Sequence, residues 1–125
     1  MTVQDKNIAI AEMLGATQEQ WYPPNKDTKQ TGIHLAFPQG SWYPDNKRYH
    51  TDSLLKFHSD ANWQMEACKF ITKTYDTAWK ITSKFCEIHN HNNGFDCRWD
   101  INCPENPMLD IFECLYYFSL YIKEK

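Results

Sequence analysis

Between residues 20 and 57 the chain never strings together more than a few apolar residues before Pro, Asn, Asp or Gly interrupts it. This punctuation limits the fold more than any other feature of the sequence. The runs QWY, IHLAF, SWY and LLKF are rich in rings and too short for helices, so the region reads as two or three short strands joined by turns. Within it a hexapeptide nearly repeats, WYPPNK at 21–26 and WYPDNK at 42–47. In each copy the two rings face opposite sides of a strand, the proline withholds a ladder donor, and Asn-Lys favours a turn. The copies read as two strand ends or as two walls of an aromatic ligand platform, and they are too few for a solenoid.

Helical spacing returns on both sides of this region. Asp5 to Leu14 carries Ile8, Ala11, Met13 and Leu14 on overlapping faces, with Thr2 or Asp5 able to cap the start and Gly15 suited to a left-handed stop. In FHSDANWQMEACKFITKTY, Ser59 or Asp60 can cap a helix whose stripe is Trp63, Ala67, Phe70, Ile71 and Tyr75. The following TKTYDTAWKITS fits either an extension of that helix or an extended connection. The last segment has Asn106 as cap, Pro107 at the first helical position, and Met108, Ile111, Leu115, Phe118 and Ile122 as a stripe.

KFCEIHNHNNGFDCRWDIN reads as a hairpin. A two-residue turn at Asn93-Gly94 sets Ile88 opposite Trp99 and Cys86 opposite Ile101 on an apolar face. The polar face then sets His89 opposite Arg98 and, unfavourably, Glu87 opposite Asp100. The expected fold class is α+β, a largely antiparallel sheet of four to five strands with three amphipathic helices, in a single domain spanning 1–125.

Charge and cysteine usage narrow the function classes. The formal net charge is -3, and the 13 basic residues include only Arg48 and Arg98 as arginines, which argues against a nucleic-acid polymer as partner and leaves room for a small anionic ligand. Apolar runs fall well short of the roughly 18 residues of a membrane span, and the acidic, polar N-terminus is unlike a signal peptide, so a cytoplasmic protein without a membrane partner is expected. Five irregularly spaced cysteines with no CxxC pair point to reduced thiols.

Candidate chemistry is sparse. His89 and His91 form a His-x-His pair that would need a third ligand to hold a metal, and the letters HNH lack the strand, strand and helix arrangement of HNH nucleases, so no metal site is expected. Cys86 and Cys97 point to the apolar side of the hairpin and His89 to the polar side, which separates a nucleophile from its base. Neither a glycine elbow nor a phosphate-cradling loop occurs, so neither catalysis nor a cofactor is expected. A ligand platform is the better reading. Arg48 and Arg98 supply bidentate donors for phosphate, and Trp21, Tyr22, Trp42 and Tyr43 supply flat faces on which a base can stack. The side chains singled out for binding are Arg48, Arg98, Trp42, Tyr43 and His89.

The order IAEMLG, FHSDANWQMEACKFI and PMLDIFECLYYFSLYIKEK resembles a broad group of small phage and prophage proteins of the alpha-beta-alpha sandwich type. These share an IAxxxG start, a helix opened by an F-[HS]-[ST]-D-x-x-x-W-like stretch, and a last helix after a proline. Within that setting the chain is similar in size and class to the Thoeris anti-defence sponges. The resemblance implies a homo-oligomer in the bacterial host cytosol that sequesters a small cyclic nucleotide-derived immune signal without cleaving it. The alternatives are a phage protein that inhibits a host protein by direct contact, and a metal-dependent hydrolase.

Overall fold

A computed structural model describes residues 2–19, 34–75, 77–82, 84–90, 96–100 and 105–124. They gather into two compact units, Met1–Leu55 and Lys56–Lys125. No helix among the described residues is long and apolar enough to cross a membrane.

The first unit begins with α1, Val3–Met13. Thr2 and Asp5 form a reciprocal capping box: Thr2 Oγ1 accepts the Asp5 N–H at 3.1 Å, and Asp5 Oδ2 accepts the Thr2 N–H at 3.2 Å. The Thr2 hydroxyl, donating to Asp5 Oδ2 at 2.9 Å, and then the Thr2 N–H hold the Asp5 carboxyl below its ordinary value. The helix stops in a Schellman motif. Gly15 N–H donates to Glu12 O at 2.9 Å and Ala16 N–H to Ala11 O at 3.0 Å, with Gly15 at φ +96°. The stop read from the sequence is therefore the stop observed.

Three short strands follow: β1 (Thr17–Glu19), β2 (His34–Ala36) and β3 (Tyr49–Thr51). They form an antiparallel sheet with β2 in the centre, pairing Leu35 with both Gln18 and His50. Ile8, Ile10, Ala11, Met13 and Leu14 from α1, Leu35 and Phe37 from the sheet, and Leu55 are buried. WYPDNK does not end a strand. Trp42 and Tyr43 lead into a tight turn at Pro44–Asn46 with left-handed backbone at Asp45 and Asn46, which delivers the chain to β3. The WYPPNK copy lies outside the described residues.

The second unit comprises α2 (Ala61–Tyr75), β4 (Thr77–Ile81), β5 (Phe85–Asn90), β6 (Asp96–Asp100) and α3 (Pro107–Glu124). Asp60 caps α2, its Oδ1 accepting the Asn62 N–H at 2.9 Å and the Trp63 N–H at 3.4 Å. Trp63, Ala67 and Ile71 are buried as the stripe requires, whereas Phe70 and Tyr75 at its margin are half-buried. The threonine-rich stretch divides: Tyr75 ends the helix and Thr77 starts β4. The buried Gln64 amide ties segments together, its Nε2 donating to Phe57 O and to Met108 O, both at 2.8 Å. Rings finish the packing, with Phe57 on Trp63, His58 on Phe112 and Tyr75 on Phe118.

Two sequence expectations are corrected here. The α+β class and the three helices hold, but the strands form two three-stranded antiparallel sheets, β1-β2-β3 and β4-β5-β6, in place of one sheet of four to five strands. The register between β5 and β6 also differs from the expected one by two positions. Cys86 lies opposite Trp99, Ile88 opposite Cys97, Glu87 opposite Arg98, His89 opposite Asp96 and Phe85 opposite Asp100. An even shift leaves every residue on its expected face, so Cys86 and Ile88 are buried while Glu87 and His89 are half-buried. It also sets Glu87 opposite Arg98 in place of Asp100, which removes the like-charge juxtaposition. The Asn93-Gly94 turn lies outside the described residues.

Candidate functional site

The connection from β2 to β3 is an ordered loop whose ends meet, and it carries three of the five side chains singled out from the sequence. Its first bend is Pro38–Ser41, closed by Ser41 N–H to Pro38 O at 3.1 Å, with Gly40 at φ +84° in the position where a type II turn needs a left-handed residue. Ser41 Oγ donates to the same Pro38 carbonyl at 2.6 Å. The second bend is Pro44–Lys47, closed by Lys47 N–H to Pro44 O at 3.0 Å. Asp45 and Asn46 both adopt left-handed backbone, φ 53° and 60°, as a type I′ turn demands. Asp and Asn carry that conformation more readily than branched residues do.

Side chains lock these bends. The Tyr43 hydroxyl accepts the Gly40 N–H at 3.0 Å, bridging the two turns. The His50 ring, buried in β3 and edge-on to Phe37, places Nε2 2.9 Å from Pro44 O and 2.8 Å from Lys47 O. Both partners are carbonyls, so Nε2 carries the proton and donates to each. Arg48 closes the loop at its base. Its carbonyl accepts the Phe37 N–H at 2.9 Å, and its Nε donates to the Phe37 carbonyl at 2.9 Å. Nη1 reaches the Tyr49 hydroxyl at 3.1 Å, and the guanidinium carbon lies 5.3 Å from the centre of the Tyr49 ring. Nη2 meets no hydrogen-bond acceptor among the described residues.

The loop therefore presents half-buried Trp42 and Tyr43 on one side of the type I′ turn, and Arg48 with exposed Tyr49 on the other. Chemically this is a fixed cation beside aromatic surface, suited to holding a planar anion. His89 and Arg98 belong to the second unit, His89 half-buried on β5 and Arg98 on β6 at the register position opposite Glu87. The structure thus carries Trp42, Tyr43 and Arg48 on one loop, with Arg48 against Tyr49, and places His89 and Arg98 on a separate strand pair.

Tyr49 and His50 were missed as parts of this site. For Tyr49 a signal existed, since it directly follows Arg48 and alternates with the buried His50. The role of His50 had none, because its acceptors are backbone carbonyls of a turn. Cys68, Cys86 and Cys114 are buried thiols, and Cys86 occupies the face of β5 opposite His89. Among the described residues no three His, Cys, Asp or Glu side chains converge to hold a metal ion. No protein-family model matches the chain, and no solved structure matches it.

Proposed function

We propose that the protein works by binding, and that it sequesters a small cyclic nucleotide-derived signal in the manner of the phage anti-defence sponges its motifs resemble. The observation that carries this reading is the posture of Arg48. Three of its contacts, to Phe37 O, the Tyr49 hydroxyl and the Tyr49 ring, are made by the protein itself, so the guanidinium is oriented before any ligand arrives. Such preorganisation lowers the ordering cost of binding. The unshared Nη2 edge is directed to a phosphate, and the rings of Trp42, Tyr43 and Tyr49 offer stacking surface for a base.

Titration calorimetry of the folded chain against a panel of cyclic nucleotides and cyclic ADP-ribose isomers tests this. At least one member should give heat, and Trp42→Ala should weaken that binding by about tenfold or more, the scale of one lost stacking contact. Absence of heat for every member, with the protein folded, removes the reading.

A second reading, inhibition of a host protein by direct contact, is supported by a different observation. Leu109 and Tyr117 on α3 and Met65 on α2 are large apolar side chains left exposed in the second unit. Leu109→Asp and Tyr117→Asp would then abolish inhibition while leaving calorimetric binding of any nucleotide unchanged.

A further inference from the structure

His50 lies between the left-handed turn and the residue that gives Arg48 its acceptor, and it touches both. Its ring is buried, and Nε2 donates to Pro44 O at 2.9 Å and to Lys47 O at 2.8 Å. Pro44 and Lys47 are the first and last residues of the turn, which closes on itself through Lys47 N–H to Pro44 O at 3.0 Å. The Lys47 carbonyl also belongs to the planar Lys47–Arg48 peptide group, so holding its oxygen sets the direction in which Arg48 leaves the turn. A second route runs through Phe37. Its ring meets the His50 ring edge-on, with centroids 5.7 Å apart, and its carbonyl accepts Arg48 Nε at 2.9 Å.

We propose that His50 is a positioning residue for the Arg48 guanidinium, acting through the Lys47–Arg48 peptide and the Phe37 ring. The role goes beyond closing the turn, because removal of the Nε2 donor releases the guanidinium from Phe37 O while every atom of Arg48 and Phe37 is retained. A leucine at position 50 fills the space of the ring and donates nothing, so the part-buried Lys47 carbonyl loses this partner and its peptide rotates toward water, taking Arg48 with it. A glutamine there can bring an amide N–H to the place of the imidazole Nε2. The consequence for affinity rests on the nucleotide-binding reading, whereas the positioning does not. If the guanidinium stays oriented in about one molecule in ten, apparent affinity falls about tenfold, since the competent fraction enters it directly.

Nitrogen-15 NMR of the full chain, with calorimetry against 3′,5′-cyclic AMP and cyclic ADP-ribose, tests the role. In the parent chain His50 should carry a proton on Nε2, and the Arg48 Nε–H should exchange slowly with water. His50→Leu should bring that exchange close to the rate of free arginine while the amides of α1 stay protected, and His50→Gln should restore the slow rate. Whichever nucleotide the parent binds should bind about tenfold more weakly to His50→Leu and nearly normally to His50→Gln. If the leucine variant does not fold, His50→Asn, whose amide is too short to reach both carbonyls, carries the same expectation. An unprotonated Nε2 overturns the proposal, and so does a slow Arg48 Nε–H in a folded variant that lacks the donor. A parent that binds neither nucleotide counts against the binding reading alone, since the exchange rates still decide the role of His50.

Discussion

Arg48 engages Phe37 through both ends of the residue, its carbonyl accepting the Phe37 N–H and its guanidinium Nε donating to the Phe37 carbonyl, each at 2.9 Å. A side-chain nitrogen occupies the position where a ladder would use the backbone N–H of Arg48. The strand pair is thereby extended beyond β2 and β3 by one residue, and the loop between them is closed at its base.

Removing that clamp should cost stability. Arg48→Ala forfeits a charge-assisted hydrogen bond in a half-buried site, for a loss of about 1–2 kcal/mol. Arg48→Lys should recover part of it, because an ammonium can reach Phe37 O but cannot also span to the Tyr49 hydroxyl. Urea unfolding followed by tryptophan fluorescence measures both, and equal stability of all three proteins would contradict the clamp.

The type I′ turn gives a prediction of opposite sign. Asn46, at φ 60°, is better served by glycine, so Asn46→Gly should leave stability unchanged or raise it by a few tenths of a kcal/mol. Asn46→Val should lower it by about 1–2 kcal/mol, since a branched side chain opposes left-handed backbone. Thermal melts of the two variants should move in different directions.

Two glycines with left-handed backbone should respond unequally to alanine. At Gly15, φ +96°, an added Cβ would lie 2.9 Å from Pro38 Cγ, so steric conflict adds to backbone strain. At Gly40, φ +84°, nothing lies within 4 Å and only the strain remains. Gly40→Ala should cost about 1 kcal/mol and Gly15→Ala clearly more, as read from denaturation midpoints.

In the second unit, Thr77 buries a hydroxyl with no hydrogen-bond partner among the described residues. Thr77→Val keeps the shape and replaces the unsatisfied oxygen with a methyl group, so it should stabilise the protein by about 1 kcal/mol. A lower melting temperature for the variant would show that the hydroxyl has a favourable role.

Alkaline pH should weaken the fold through Cys68. Burial, with Cys86 alongside, pushes its thiol up to about 12 from an ordinary value of 9.0. In the unfolded chain the thiol ionises near that ordinary value, so between the two the unfolded state releases a proton that the native state retains. This contribution to stability is complete below about pH 9 and declines as pH rises toward about 12. Tyr75, also pushed up by burial, adds to the loss in the same direction. Unfolding free energies from neutral pH to about pH 11 should fall less steeply in Cys68→Ala than in the parent chain.

The helices were legible because their determinants are local. Thr2, Gly15, Asp60 and Pro107 each act within one turn of their own position, and the buried stripes of Trp63, Ala67 and Ile71 and of Ile111, Leu115 and Phe118 follow from helical periodicity. The faces of β5 were legible for a similar reason, since alternation survives any even shift of register. The shift itself was not, because it depends on which cross-strand partners pack best.

Contacts between distant positions settled the remainder. The partition of the strands into two sheets depends on whether β3 and β4 find each other or separate neighbours, and no residue within either strand encodes that choice. WYPDNK looked like a strand end because its rings and proline suit one, yet His50 and Tyr43 fold it into a left-handed turn. Arg48 and Phe37 stand 11 positions apart, and the acceptor is a backbone carbonyl that every residue possesses. The helices, their caps and the apolar faces follow from residue order alone, since those interactions are short in range and specific to residue type. The loop and its oriented guanidinium needed the folded chain, because backbone acceptors acquire an identity only when the structure brings them within reach.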